Sequence, residues 1–289
     1  MTRRRANLVA ALLLISAAVG VHAQNAVFSA KVEAIRVDVL VTDRENGPAI
    51  LGLGPEDFEV FDNGVLQQVD LVSFEQIPLN VILAFDMSES VAGDRLANLR
   101  AAGGGVLGAL NTDDQAALIT FSHVVVLGSR LTKDAPVVKQ ALEDTFGAGV
   151  TALVDGTFAA IMHGESDAGR ALVIVFSDGV DTASWLTDSA VLDAAKRSDA
   201  VVYAVATRSR AKPEFLRDLS SFTGGRLFEV ERTTNLGAIF VNVLAEFRHR
   251  YLVSYTPRNV QPGGWHRLEV RVKGRRATVK ARPGYLAGS

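Results

Sequence analysis

The sequence contains no cysteine. That excludes thiol catalysis, thiolate-bound zinc, iron–sulfur centres and disulfide staples, and leaves the chain free to fold in any redox compartment. Histidine is scarce: His22, His123, His163, His249 and His266 are scattered, without the spacing of a zinc-binding helix, so each reads as structural or solvated. Charge of one sign is not in excess either. A net charge of -2 gives no reason to expect a nucleic-acid partner. Beyond the first 23 residues no run is apolar enough to cross a bilayer. Also missing are the G-x-S-x-G elbow of hydrolases, the G-x-x-x-x-G-K-[ST] phosphate loop and a dinucleotide glycine fingerprint. Phosphatases with a nucleophilic Asp after the first strand usually carry a second Asp two positions on, where this chain has Ser88. These absences argue against an enzyme.

What is present begins with an export signal. "MTRRR" is basic, "ANLVAALLLISAAVGV" is apolar, and "VHA" before Gln24 suits a signal peptidase. Residues 1–23 are therefore expected to be cleaved, leaving a periplasmic or secreted protein. An uncleaved anchor is the alternative.

The remaining chain changes character twice. Residues 27–77 read as strands: "IRVDVLV" alternates apolar and polar side chains, and Asn63-Gly64 favours a tight hairpin turn. Residues 79–247 contain runs that are apolar on both faces, "LNVILAF", "QAALITF", "ALVIVF" and "AVVYAVAT". Such strands sit in a mostly parallel sheet covered by helices. Helical patterns fall at Asp94–Leu110, Ala135–Phe146, Ala152–Met162, Ser189–Ser198 and Pro213–Phe222, and "FSHVVVL" reads as an antiparallel edge return. Three adjacent glycines, Gly103 to Gly105, interrupt the first helical pattern; either close packing or a break in the helix explains them.

Residues 248–289 alternate again about Lys273-Gly274-Arg275, as a hairpin expected to pack on the strands of 27–77. They carry ten Lys/Arg against a single Glu269, read as a solvated strand face that resists aggregation, with an anionic surface as the alternative partner. The expected architecture is thus an open, doubly wound α/β domain inserted into a small β-sandwich built from both ends of the chain.

In such sheets ligands bind beyond the carboxyl ends of the strands, where strand order reverses. "DMSES" follows one buried strand and sets Asp86, Ser88 and Ser90 at alternate positions; "SDGVD" follows another and contributes Asp178; "GAGVTALVDG" puts Thr151 just before a helix. Two carboxylates and three hydroxyls form a hard, oxygen-only donor set suited to Mg²⁺ or a similar divalent cation. Taken singly, each serine can instead cap the helix that follows. Glu89 should face solvent, and Asp181 reads as a turn former.

This pattern resembles the von Willebrand factor type A domain. The resemblance is carried by Asp86, Ser88 and Ser90 in "DMSES", Thr151 in "GVTAL" and Asp178 in "FSDG", and it spans about 79–247. It implies a metal-ion-dependent adhesion site holding Mg²⁺, with Mn²⁺ or Ca²⁺ as alternatives, and a protein partner that supplies a Glu or Asp to the metal. No nucleic acid or small-molecule ligand is implied. The flanks "VDVLVTDRENGPAILGLGPEDFEVFDNGVLQQVDLVSF" and "RYLVSYTP…GWHRLEVRVKG…ARPGY" resemble the exported bacterial group of VWFA-related Acidobacterial domain proteins. The expected function is an exported, metal-dependent protein-binding module for adhesion or assembly. A structural envelope component with an idle metal site, or less plausibly a metal-dependent hydrolase, are the alternatives.

Overall fold

A computed structural model describes residues 34–74, 77–165, 169–177, 180–207 and 212–288. The expected export signal lies outside them. In chain order the elements are β1 (Ile35–Thr42), β2 (Phe58–Asp62), β3 (Val65–Gln67), β4 (Val69–Ser73), β5 (Leu79–Asp86), α1 (Asp94–Gly108), β6 (Gln115–Phe121), β7 (Val125–Thr132), α2 (Ala135–Glu143) and α3 (Leu153–Gly164). They continue with β8 (Arg170–Ser177), α4 (Asp188–Arg197), β9 (Val201–Thr207), α5 (Glu214–Phe222), β10 (Leu227–Val230), α6 (Leu236–Arg248), β11 (Tyr251–Tyr255), β12 (Gly264–Val272), β13 (Thr278–Lys280) and β14 (Gly284–Ala287).

The central sheet has the order β10-β9-β8-β5-β6-β7. All its ladders are parallel except the edge pair β6–β7. Every residue of β5 and β8 is buried, as continuous apolar runs predict for strands covered on both faces. Successive β5 side chains feed opposite layers. Val81, Leu83 and Phe85 pack with α1, α2 and α6, whereas Ile82 and Ala84 pack with α3, α4 and α5. Counting outward from the β5–β8 pair, β6 and β7 follow on one side and β9 and β10 on the other. The strand order therefore reverses at that pair.

The two remaining sheets interleave the chain ends: β13-β1-β11-β4 and β14-β12-β2-β3. Each takes two strands from before the α/β layer and two from after it. They share a core of Val37, Val39, Phe58, Val60, Tyr251, Val253 and Leu268. The Asn63-Gly64 turn holds both residues at positive φ, 48° and 81°, which that dipeptide tolerates.

Three features differ from the sequence reading. The strands about Gly274 do not pair with each other as a hairpin: β12 pairs with β2 and β14, while β13 crosses to pair with β1 in the facing sheet. The run after Gly64 likewise divides, β3 pairing with β2 and β4 with β11. The α/β layer also holds β10 and α6, which the sequence reading did not single out. The glycines of α1 do not break the helix.

Candidate metal centre

Parallel register brings the carboxyl ends of β5 and β8 together. Phe85 stands opposite Phe176, so Asp86 and Ser177 emerge side by side. Both are fully buried. The Ser177 hydroxyl donates to Asp86 Oδ2 at 2.7 Å, and the Ser88 backbone N–H donates to Asp86 Oδ1 at 2.8 Å. The second bond is an Asx turn, which bends the chain sharply away from the strand. It turns Ser88 and Ser90 to one side, and their hydroxyl oxygens lie 3.0 Å apart. Ser88 remains buried while Ser90 and Glu89 are exposed.

The segment bearing Thr151 is tied to this loop by backbone bonds. Ala148 N–H donates to Met87 O at 2.8 Å, and Glu89 N–H donates to Gly149 O at 3.0 Å. Gly147 permits the approach: a Cβ there would lie 3.1 Å from Ser88 O and from Ala92 N. Ala152 N–H donates to Ser122 O at 2.7 Å, anchoring the same segment to the end of β6. Thr151 is buried, just before α3.

A third loop, after β8, closes the far side. Thr151 N–H donates to Thr182 Oγ1 at 3.0 Å, and Thr182 N–H donates back to Thr151 O at 2.9 Å. Asp181 Oδ1 accepts from Val154 N–H at 3.3 Å and from Ser184 Oγ at 2.6 Å, so it serves the amino end of α3 as a turn former. Asp155 then accepts the N–H groups of Trp185 and Leu186, each at 2.9 Å.

The described site thus gathers Asp86, Ser88 and Ser90 on one loop and binds the Thr151 segment to it. The remaining expected ligand, Asp178, lies outside the described residues. Two contributors were not anticipated, Ser177 beneath Asp86 and Thr182 beside Thr151. Ser177 was legible in principle, since it precedes Asp178 in "FSDG" and β8 neighbours β5. Among the described residues no group of three His, Asp or Glu side chains is placed to hold an ion. Among the described residues the oxygens offered here are the single carboxylate of Asp86 and the hydroxyls of Ser88 and Ser90. The Ser88–Ser90 separation suits a cation: two oxygens at 2.0–2.1 Å from one octahedral Mg²⁺ stand roughly 3 Å apart.

Comparisons with known proteins agree with this architecture. The von Willebrand factor type A domain family matches residues 80–242, more than half of the chain. A von Willebrand factor type A protein from Catenulispora acidiphila superposes with a TM-score of 0.53 at 13% identity, covering 79% of this chain and 72% of that one. Proximal thread matrix protein 1 from the mussel byssus, in a form with a zinc-occupied MIDAS motif, superposes with a TM-score of 0.54 at 15% identity. That match covers 66% of this chain and 50% of the mussel protein. At such identities the likeness concerns the fold alone. No curated protein matches the chain. Buried parallel strands, a reversal point lined with Asp86, Ser88 and Thr151, and the family match over residues 80–242 lead to one assignment: the chain belongs to the von Willebrand factor type A domain family.

Proposed function

We propose that this protein is an exported, metal-dependent protein-binding module whose cation is held by Asp86, Ser88, Ser90, Thr151 and Asp178. The observation that carries the reading is the pair of hydroxyls at 3.0 Å, fixed by an Asx turn on a buried carboxylate. Asp86 lends negative charge and holds Ser88 in place. Ser88, Ser90 and Thr151 offer neutral oxygens, so the site carries few formal charges against a divalent ion. A bound cation would supply a Lewis-acidic position for a Glu or Asp carboxylate of a partner. The same reading treats residues 79–247 as one domain inserted between strands 27–77 and 248–289, with an export signal at 1–23. The mussel relative with zinc in its MIDAS motif supports a divalent ion; Mg²⁺ is our choice for an all-oxygen donor set.

A ligand that binds only the folded state stabilises it by about 2.7 kcal/mol at a hundred times Kd. For a chain of this size that is a rise of roughly 4–5 °C in Tm. Thermal melts in Mg²⁺ or Mn²⁺ should therefore exceed those in chelator. Asp86→Ala should erase the difference, and so should Ser90→Ala, which removes an exposed hydroxyl. A Ser90→Ala, Thr151→Val double variant that keeps the full metal-dependent rise would refute the assignment.

A further inference from the structure

The loops that build the candidate centre also expose apolar side chains around its mouth. Trp185 is 95% exposed, Phe146 77%, Val150 51% and Val124 50%. Each is tied to the centre by bonds already described or by its neighbours. Phe146 precedes Gly147, which lies against Ser88 O. Val150 stands between Gly149, whose carbonyl accepts from Glu89 N–H, and Thr151. Val124 O accepts from Ser122 N–H at 3.0 Å, and Ser122 O accepts from Ala152 N–H. Trp185 hangs from Asp155 in the first turn of α3.

Exposed aliphatic residues scattered singly need no explanation, but apolar side chains gathered on one rim mark a contact surface. Burying an aromatic side chain removes 150–250 Å² from water, and Trp185 and Phe146 forgo most of that here. Tryptophan is also the residue type most enriched where truncation costs binding dearly. Among the described residues, the exposed charges on these loops are Glu89 and Asp181, against Arg95, which is occupied in donating to Ser90 O at 3.0 Å; Asp155 is half-buried and already accepts from Trp185 and Leu186. Among these described residues no free base is offered to a partner's carboxylate, so a cation would have to supply the attraction.

Resting on the metal reading above, we infer that the rim of Phe146, Val150, Trp185 and Val124 is the docking surface, and that its partner presents one Asp or Glu flanked on both sides by aliphatic or aromatic side chains. The carboxylate goes to the cation; the flanking side chains cover the rim. Acidic segments with polar or charged neighbours are discriminated against, because they would leave Trp185 and Phe146 wet and place further negative charge beside Glu89.

The test uses the full chain with Trp265→Phe, so that Trp185 is its only tryptophan. Calorimetry with Mg²⁺ alone comes first and judges the metal reading by itself. The probes are three capped synthetic peptides: Leu-Phe-Asp-Phe-Leu, its Asp→Asn analogue, and Ser-Thr-Asp-Thr-Ser. In Mg²⁺ the first should blue-shift Trp185 emission, shield it from acrylamide, and bind at least tenfold more tightly than either control. Chelator should abolish this. Phe146→Ser should weaken the first peptide at least tenfold with Mg²⁺ affinity unchanged, and Trp185→Ser, followed by calorimetry, should do the same. If Mg²⁺ does not bind, the metal reading falls and this inference with it. If Mg²⁺ binds but the first and third peptides bind equally, or neither binds up to about 1 mM, the inference alone is overturned.

Discussion

Asp62 is the residue most confined by its surroundings. It is fully buried at the end of β2 and accepts three hydrogen bonds, from His266 Nδ1 at 2.8 Å and from the hydroxyls of Tyr255 and Tyr285 at 2.9 Å each. These partners come from β12, β11 and β14, so one carboxylate joins strands of both sandwich sheets. Removing it leaves three polar groups without their acceptor in an apolar core. Asp62→Ala should cost about 3–5 kcal/mol, the range for breaking a buried charged network. Tyr255→Phe, which deletes one donor, should cost about 1–1.5 kcal/mol. Urea denaturation of the three proteins checks the ratio; near-equal losses would mean that the carboxylate is not the hub. Neither Asp62 nor His266 stood out in the sequence, because an Asp before Asn-Gly reads as a turn residue. The candidate centre was more legible. Asp86, Ser88 and Ser90 stand out because a carboxylate and hydroxyls at alternate positions end an apolar run. Ser177 and Thr182 did not, since their roles arise from register and loop contact, which no local pattern encodes.

Adjacent glycines in one helix can serve different ends. In α1 a Cβ on Gly103 would lie 2.6 Å from Leu142 Cδ2 and 3.1 Å from Phe85 Cε2, both buried, so the helix approaches α2 and the sheet only without it. A Cβ on Gly104 would meet nothing within 4 Å. Gly104→Ala should stabilise the protein by about 0.5–1 kcal/mol through helix propensity. Gly103→Ala should destabilise it by about 1–3 kcal/mol through overpacking. Equal effects of the two substitutions, measured by thermal and chemical denaturation, would contradict this account. The sequence left close packing and a helix break both open, and close packing holds for Gly103. Other elements were misread for physical reasons. α6 shows a clear stripe of Leu236, Phe240, Val243, Leu244 and Phe247, but it merges into the following strand through only His249 and Arg250. The strands about Gly274 alternate like a hairpin, yet each finds a longer ladder in a different sheet. Alternation reports which face is buried and leaves the partner open.

Sandwich and α/β layer are joined by buried arginines at the amino ends of the central strands, away from the candidate centre. Arg170, opening β8, pairs with Asp38 of β1, with its Nε 2.9 Å from Asp38 Oδ1. Arg250, which no solvent reaches, donates to Tyr203 OH at 2.8 Å and to Gly224 O at 2.7 Å. Arg282 donates to Ser198 O and to Arg36 O, each at 2.8 Å. Guanidinium forks suit such junctions because one side chain satisfies several carbonyls at once. Opening the junction would break all of these bonds at once, so sandwich and α/β layer should unfold together. The tyrosines can report this. The chain has four, and all are buried: Tyr203 in the α/β layer, Tyr251, Tyr255 and Tyr285 in the sandwich. Burial raises the pKa of each above the ordinary value of 10.0, with the neighbouring Asp62 adding to it at Tyr255 and Tyr285. A group whose folded pKa lies above its unfolded value contributes its full stability below pH 10 and loses it as the pH climbs towards the folded value. Tyrosinate should therefore be absent from the folded protein near pH 10, and its near-ultraviolet absorbance should appear in one steep step that coincides with loss of circular dichroism. A sandwich that opened separately would release three tyrosines in an earlier step and Tyr203 in a later one, and a gradual rise centred near pH 10 would mean that the hydroxyls are not held as described.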